Sequence, residues 1–289
     1  MGTNETTAEG AEFSLREFVD IIKRGRWIIV PVTLMTTLVA GVAAWVMPKT
    51  YESGIVISPT SETTGQMSGS GGLSQFAGIA SLVGLSTGSD SKKSESLAIL
   101  QSDALTEKYI KDNNLLPILF ASKWDSTANK WRTTDPSKIP TLWKANEFFR
   151  DKVRTVTTNP KSGIVTLKIT WRDPDLAAKW ANELVASAND YLRLNAIALS
   201  ERNIAYLGQE AVKTDVVGVK QAIYEILQSE ISKEMLARGN EEYAFRILDR
   251  ALPPERAASP RKMLWLAGGF FAGLALSVLL VLMRVTRIK

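Results

Sequence analysis

The 289-residue sequence contains no cysteine and no histidine. Without histidine there is no Ser-His-Asp triad, no histidine zinc site and no side chain that ordinarily titrates near neutral pH. Without cysteine there is no disulfide framework, which suits an oxidising compartment without demonstrating one. Charge of one sign is also scarce: 35 Lys and Arg stand against 30 Asp and Glu, a net +5. Much of that excess flanks two apolar runs, and the segment between them is nearly balanced, which argues against nucleic acid as a partner. The Gly- and Ser-rich stretch 60–94 has no GK[ST] ending and so is no phosphate-binding loop. No catalytic, metal or cofactor-binding residue is predicted.

What the sequence does have is two long uncharged runs, Trp27 to Met47 and Met263 to Met283, each of 21 residues. At about 1.5 Å per residue each matches the ~30 Å hydrocarbon core of a bilayer. Trp27, Trp45 and Trp265 stand near their ends, where an amphipathic ring rests at headgroup level or simply faces lipid. The first run exceeds a signal-peptide core, although small residues in "VAGVAAW" leave cleavage open. Lys23, Arg24 and Arg26 precede it against Lys49 after it, which keeps the N-terminus cytoplasmic. The second span is ambiguous by itself, with basic residues on both sides. The expected organisation is a tail at 1–26, a span at 27–47, an outer domain at 48–262, a span at 263–283 and a tail at 284–289.

Residues 1–12 are polar and lack a core pattern. "FSLREFVDIIKRGRW" reads as an amphipathic helix with a Ser14/Glu17 capping box, either lying on the inner leaflet or extending the span. "YESGIVISP" reads as a strand, 73–85 as a small-residue helix inside a flexible loop, and 95–119 as helix. "SKWDSTANKWRTTDPSKIP" reads as loop. "TLWKANEFFRDKV" reads as a helix with Trp143, Phe148 and Phe149 in the core. Residues 153–171 read as a hairpin around Asn-Pro-Lys-Ser-Gly. Asp173 is placed to cap a helix whose first turn holds Pro174.

From there helical composition runs to about Leu248. Apolar residues from Ile204 to Met235 recur mostly every four positions, a coiled-coil-like seam. Unbroken, a helix over 175–248 would be about 110 Å long and would need partners, copies of itself being the simplest. Gly208 and Gly239 are the places where it could instead fold back. Pro253 and Pro254 are expected to stop it, and 253–260, ending in Pro260, to form a semi-rigid spacer. Within the second span Gly268 and Gly269 precede Gly273. Gly269-x-x-x-Gly273 lets a neighbouring helix approach closely, in the same chain or in an oligomer, although glycine is also common in membrane helices.

Four stretches together resemble the polysaccharide co-polymerases, the Wzz-type O-antigen chain-length determinants: "PKTYESGIVISP", "ESLAILQSDAL", "WRDPDLAAKWANELVASANDYL" and "FRILDRALPPERAASPRKMLWLAGGFFAG". The resemblance implies an α+β protein of the bacterial inner membrane, with two transmembrane helices bracketing a periplasmic α/β base and a long protruding helix. It implies homo-oligomeric rings that control how many repeat units a separate polymerase adds to a lipid-linked glycan, without catalysis. Larger relatives append a cytoplasmic tyrosine kinase. Six residues after the second span and no Walker sequence set the expectation that this chain does not. Other readings stay open: a capsule or exopolysaccharide export component with a separate kinase, a two-span periplasmic sensor, or a hydrolase using Asp173 and Asp175. Trp124, Trp131 and Trp143 are either core residues or sugar-stacking platforms.

Overall fold

The computed structural model describes residues 15–60 and 88–288. The expected 73–85 helix, the N-terminal polar residues and the Ser14 cap lie outside them. In chain order the elements are α1 (Leu15–Val46), β1 (Tyr51–Pro59), α2 (Gly88–Gln101), α3 (Asp103–Asp112), α4 (Leu116–Leu119), β2 (Trp124–Asp125) and β3 (Lys130–Trp131). There follow α5 (Leu142–Phe148), β4 (Arg154–Thr158), β5 (Val165–Trp171), α6 (Pro174–Lys213), α7 (Val217–Gly239), β6 (Phe245–Asp249) and α8 (Lys262–Ile288). They form two compact units, Met1–Thr50 with Ala257–Lys289, and Tyr51–Arg256.

The first unit is a pair of helices. Trp27–Val46 of α1 and Lys262–Met283 of α8 are each long and apolar enough to cross a membrane. They pack antiparallel, Gly41 beside Leu266 and Gly273 beside Thr33. Leu34, Met35, Phe271 and Leu276 remain exposed on their outer faces, as side chains in lipid contact would be.

The second unit is a two-layer α+β structure. Its sheet has the order β4-β5-β1-β6, antiparallel throughout. Strand periodicity sends Ser53, Ile55 and Ile57 of β1 and Val165, Leu167 and Ile169 of β5 to one face, and all six are buried. The N-terminal half of α6 covers that face with Ala177, Trp180, Ala181, Leu184 and Ala188. The hairpin is as expected, and Gly163 takes φ 68° in its turn, where a side chain would be strained. Aromatic rings run from surface to core: Phe120, Phe148, Trp171, Trp180, Phe149 and Tyr109 contact one another in succession. Tyr109 donates its phenol proton to Glu183 at 3.0 Å, and burial, then the Glu183 charge, pushes its pKa up.

Several local expectations are corrected. The helix over 95–119 breaks at Ser102, whose hydroxyl caps α3 by accepting from Leu105 N–H at 3.2 Å. The break exposes the C-terminal carbonyls of α2, and Arg154 takes them up: its guanidinium donates to Leu100 O, Gln101 O and Thr106 Oγ1 at 2.8–2.9 Å. The loop after α4 contains a small hairpin in which Trp124 and Trp131 pair edge to face at 4.9 Å. Trp143 is 64% exposed rather than in the core, while Phe149 is buried.

The largest correction concerns the helix over 175–248. It ends at Lys213, turns through Thr214 to Val216, and returns as α7. The reversal falls at neither Gly208 nor Gly239: Gly208 lies inside α6, and Gly239 is the last residue of α7. β-branched Thr214 and Val216 leave the α region there, with ψ of 124° and 113°. Nor do Pro253 and Pro254 stop the helix, because β6 intervenes after Gly239-Asn240.

Candidate functional site: the paired spans and the helical arm

In the pair of apolar helices, Gly269 and Gly273 face α1 across the interface. A Cβ at Gly269 would stand 2.5 Å from Ala40 Cβ and 3.2 Å from Thr36 O. A Cβ at Gly273 would overlap Thr36 Oγ1 and come within 3.0 Å of Thr33 Cα. Gly268 meets nothing within 4 Å. Backbone-to-backbone approach is what stabilises helix pairs in lipid, where apolar association has no hydrophobic driving force. The hydroxyls beside the glycines are satisfied within their own helices. Thr36 donates to Val32 O and Thr33 O, Thr37 to Thr33 O at 2.7 Å, and Ser277, fully buried, to Leu274 O at 2.8 Å.

Where the chain approaches α8, Ala258 N–H donates to Thr50 O at 2.8 Å and Thr50 N–H to Ser259 O at 3.0 Å. Pro260 follows that bridge directly. Pro253 and Pro254 lie in the irregular segment after β6, Pro253 exposed and Pro254 half-buried.

In the second unit Asp173 caps α6: its Oδ1 accepts from Asp175 N–H at 2.9 Å and Leu176 N–H at 3.2 Å, with Pro174 in the first turn. This arrangement gives Asp173 Oδ1 a structural role at the start of the helix.

α6, 40 residues and so about 60 Å long, continues past the sheet and is joined by α7 into an antiparallel arm. Polar contacts join the arm's two helices where residues 201–203 meet 230–238. Glu230, 8% exposed, accepts from Lys233 Nζ at 2.6 Å and Asn203 Nδ2 at 3.1 Å. The Lys233 hydrogen bond, followed by that from Asn203, holds its carboxyl below the usual glutamate range against the opposing effect of burial. Arg238 bonds to Glu201 and Glu234. The apolar seam is only partly used. Val212, Val216 and Met235 of that seam are exposed, Val212 to 82%, and so are Val217, Tyr224, Ile226 and Leu236 outside it, Val217 to 79%.

Sequence reasoning missed the two asparagines that tie this arm to the sheet. Asn182 and Asn189 are seven residues apart on the α6 face that covers the sheet. Asn182 donates to Ala251 O at 2.9 Å and accepts from Ala251 N–H at 3.1 Å. Asn189 does the same with Phe245 and also accepts from Ala244 N–H. The available signal was an amide set among buried Leu184, Val185 and Ala188, a position that asks for hydrogen-bond partners.

Fold and site define a class: an α+β protein with two apolar terminal helices and a long helical arm. Residues 11–113 match the family model Wzz, chain length determinant protein. Residues 208–286 match GNVR, "G-rich domain on putative tyrosine kinase". Residues 11–113 thus carry a chain length determinant domain. A solved full-length bacterial polysaccharide co-polymerase is similar at 12% identity and TM-score 0.36, covering 94% of this chain and 98% of that one. A fragment of WzzB, a polysaccharide co-polymerase from Salmonella Typhimurium, is similar at 9% identity and TM-score 0.27, over 73% of this chain and 100% of the fragment. No curated protein matches.

Proposed function

We propose that this protein regulates the length of a surface polysaccharide without catalysing its synthesis, as an oligomeric scaffold for a separate polymerase and its lipid-linked glycan. The observation that carries the reading is the chain length determinant match over 11–113. The protein spans the bacterial inner membrane twice, with both termini cytoplasmic and 48–262 periplasmic. Supporting this are the two apolar helices and the Lys23, Arg24 and Arg26 bias before the first. The segment 253–260 acts as the spacer between outer domain and second span. Gly269 and Gly273 set how the spans pair.

The scaffold is a homo-oligomer. Support comes from the arm, whose exposed valines, tyrosines, Ile226, Met235 and Leu236 form more apolar surface than a lone protomer usefully presents to water. A non-catalytic role agrees with Asp173 being engaged as a helix cap. A second reading, an export component acting with a separate kinase, draws on the 208–286 match.

Deleting the chain from its cell tests the main reading. The expected outcome is loss of the preferred length and a broadened glycan ladder on a gel, restored by the wild-type chain. An unchanged ladder refutes length control. A loss of exported polymer with no change in length favours the second reading.

A further inference from the structure

The outer unit holds an open cleft of about 380 Å³ where α2, the middle of α6 and α7 converge with the residue pair before β6. That lies within the ~300–1,000 Å³ typical of small-ligand sites. Its wall carries Glu230, which is 8% exposed and fixed by Lys233 at 2.6 Å and Asn203 at 3.1 Å. A buried carboxylate is costly unless paired, and here the partners come from both arm helices, so the acceptor is positioned before anything binds. A carboxylate offers about four lone-pair sites and an ammonium three protons, so capacity is left over for a ligand on both members of the pair.

The rest of the lining selects the ligand class. Glu95 and Asn195 add an exposed carboxylate and an exposed amide. Lys92 and Lys233 balance Glu95 and Glu230, so the cleft has no excess positive charge to hold a phosphate or other anion. Ammonium groups beside the carboxylates disfavour a metal cation. Leu199, 54% exposed, and Ile99 supply an aliphatic side. Donors and acceptors in comparable number next to an apolar strip suit a molecule whose hydroxyls both give and take protons and whose C–H faces seek apolar contact.

We infer that this cleft binds an uncharged saccharide segment, with Glu230 and Glu95 accepting from its hydroxyls, Lys233 and Asn195 donating, and Leu199 against a ring face. The inference deepens the length-control reading and rests on it only for which saccharide is bound. Because the cleft is built from both arm helices and α2, bound saccharide would tie the arm to the sheet domain.

The test uses the full chain in detergent and oligosaccharide fragments of the cell's own surface glycan, observed by saturation-transfer NMR. Transfer to the fragments is expected for the wild type, changing less than about twofold between low and high salt because the contacts are not ionic. Asn195→Trp, at an exposed position, fills the cleft and should weaken binding about tenfold or more. Asn195→Gln, which keeps the amide, should retain binding. Circular dichroism and particle mass check that both variants fold. No transfer to the wild type, equal binding by Asn195→Trp, or a steep loss with salt overturns the inference. The glycan ladder is recorded in the same strains. A ladder that still depends on the protein while binding is absent sinks the cleft alone. A ladder indifferent to the protein sinks length control, and leaves the binding result to decide the cleft.

Discussion

Asn189 and Phe245 exchange two hydrogen bonds: the amide Nδ2 donates to Phe245 O at 2.9 Å, and Oδ1 accepts from Phe245 N–H at 2.7 Å. A helix side chain thereby takes the place of a neighbouring strand at the start of β6, the edge strand next to β1. Removing it in Asn189→Ala would strand buried N–H groups of Ala244 and Phe245 and a buried carbonyl, at a cost of about 2–4 kcal/mol. Asn189→Asp keeps the acceptor, loses the donor and buries a charge, so it should also destabilise. Denaturant unfolding followed by tryptophan fluorescence measures both. A midpoint unchanged in Asn189→Ala would mean that β6 is held by its strand pairing with β1 alone.

The contrast between adjacent glycines gives a second prediction. Gly269→Leu and Gly273→Leu place atoms against Ala40, Thr36 and Thr33 and should weaken the span pair by about 1–3 kcal/mol or more. Gly268→Leu, with nothing within 4 Å, should be tolerated. Thermal unfolding of the detergent-solubilised chain distinguishes them. Equal effects at 268 and 269 would contradict the packing.

Glu230 gives a pH dependence. Its folded pKa is lowered, chiefly by the Lys233 hydrogen bond, so it favours the folded arm fully above the unfolded glutamate value of about 4.3. That contribution is lost as pH falls through the folded value. Glu230→Gln should remove about 1–2 kcal/mol at neutral pH and flatten this part of the acid titration. Hydrogen exchange of α6 and α7 against pH in both proteins is the measurement. An acid limb of the same shape in the variant would show that other groups carry it.

Exposed apolar residues on the arm predict assembly. Val217→Asp combined with Leu236→Asp should lower the detergent-particle mass while leaving helix content unchanged, because both side chains are exposed within the protomer. Particle mass by light scattering decides this, and a wild-type mass equal to one protomer would remove the scaffold altogether.

The segment before α6 was fully legible from local chemistry. An Asp-Pro pair before an apolar stripe asks for a cap, and Asp173 provides it. The hairpin was legible for the same reason, since strand alternation and a five-residue turn are set by near neighbours. β6 was not, because Phe245 to Asp249 is short, follows a long helical pattern, and becomes a strand only by pairing with β1. Trp143 was misread because size and apolarity do not say which side of a short helix faces inward.

The sequence alone determined the two apolar terminal helices, the near-neutral segment between them, the cap at Asp173 and the lack of histidine and cysteine chemistry. All of these depend on composition or on residues a few positions apart. Tertiary structure decided that the long helical pattern doubles back after Lys213, that Gly269 and Gly273 rather than Gly268 meet the first helix, and that Asn182, Asn189 and Arg154 serve backbone groups far along the chain. The reason is physical. A periodic pattern fixes which face of a helix is apolar, but only packing against a particular partner fixes where the helix ends and which buried polar groups must be satisfied.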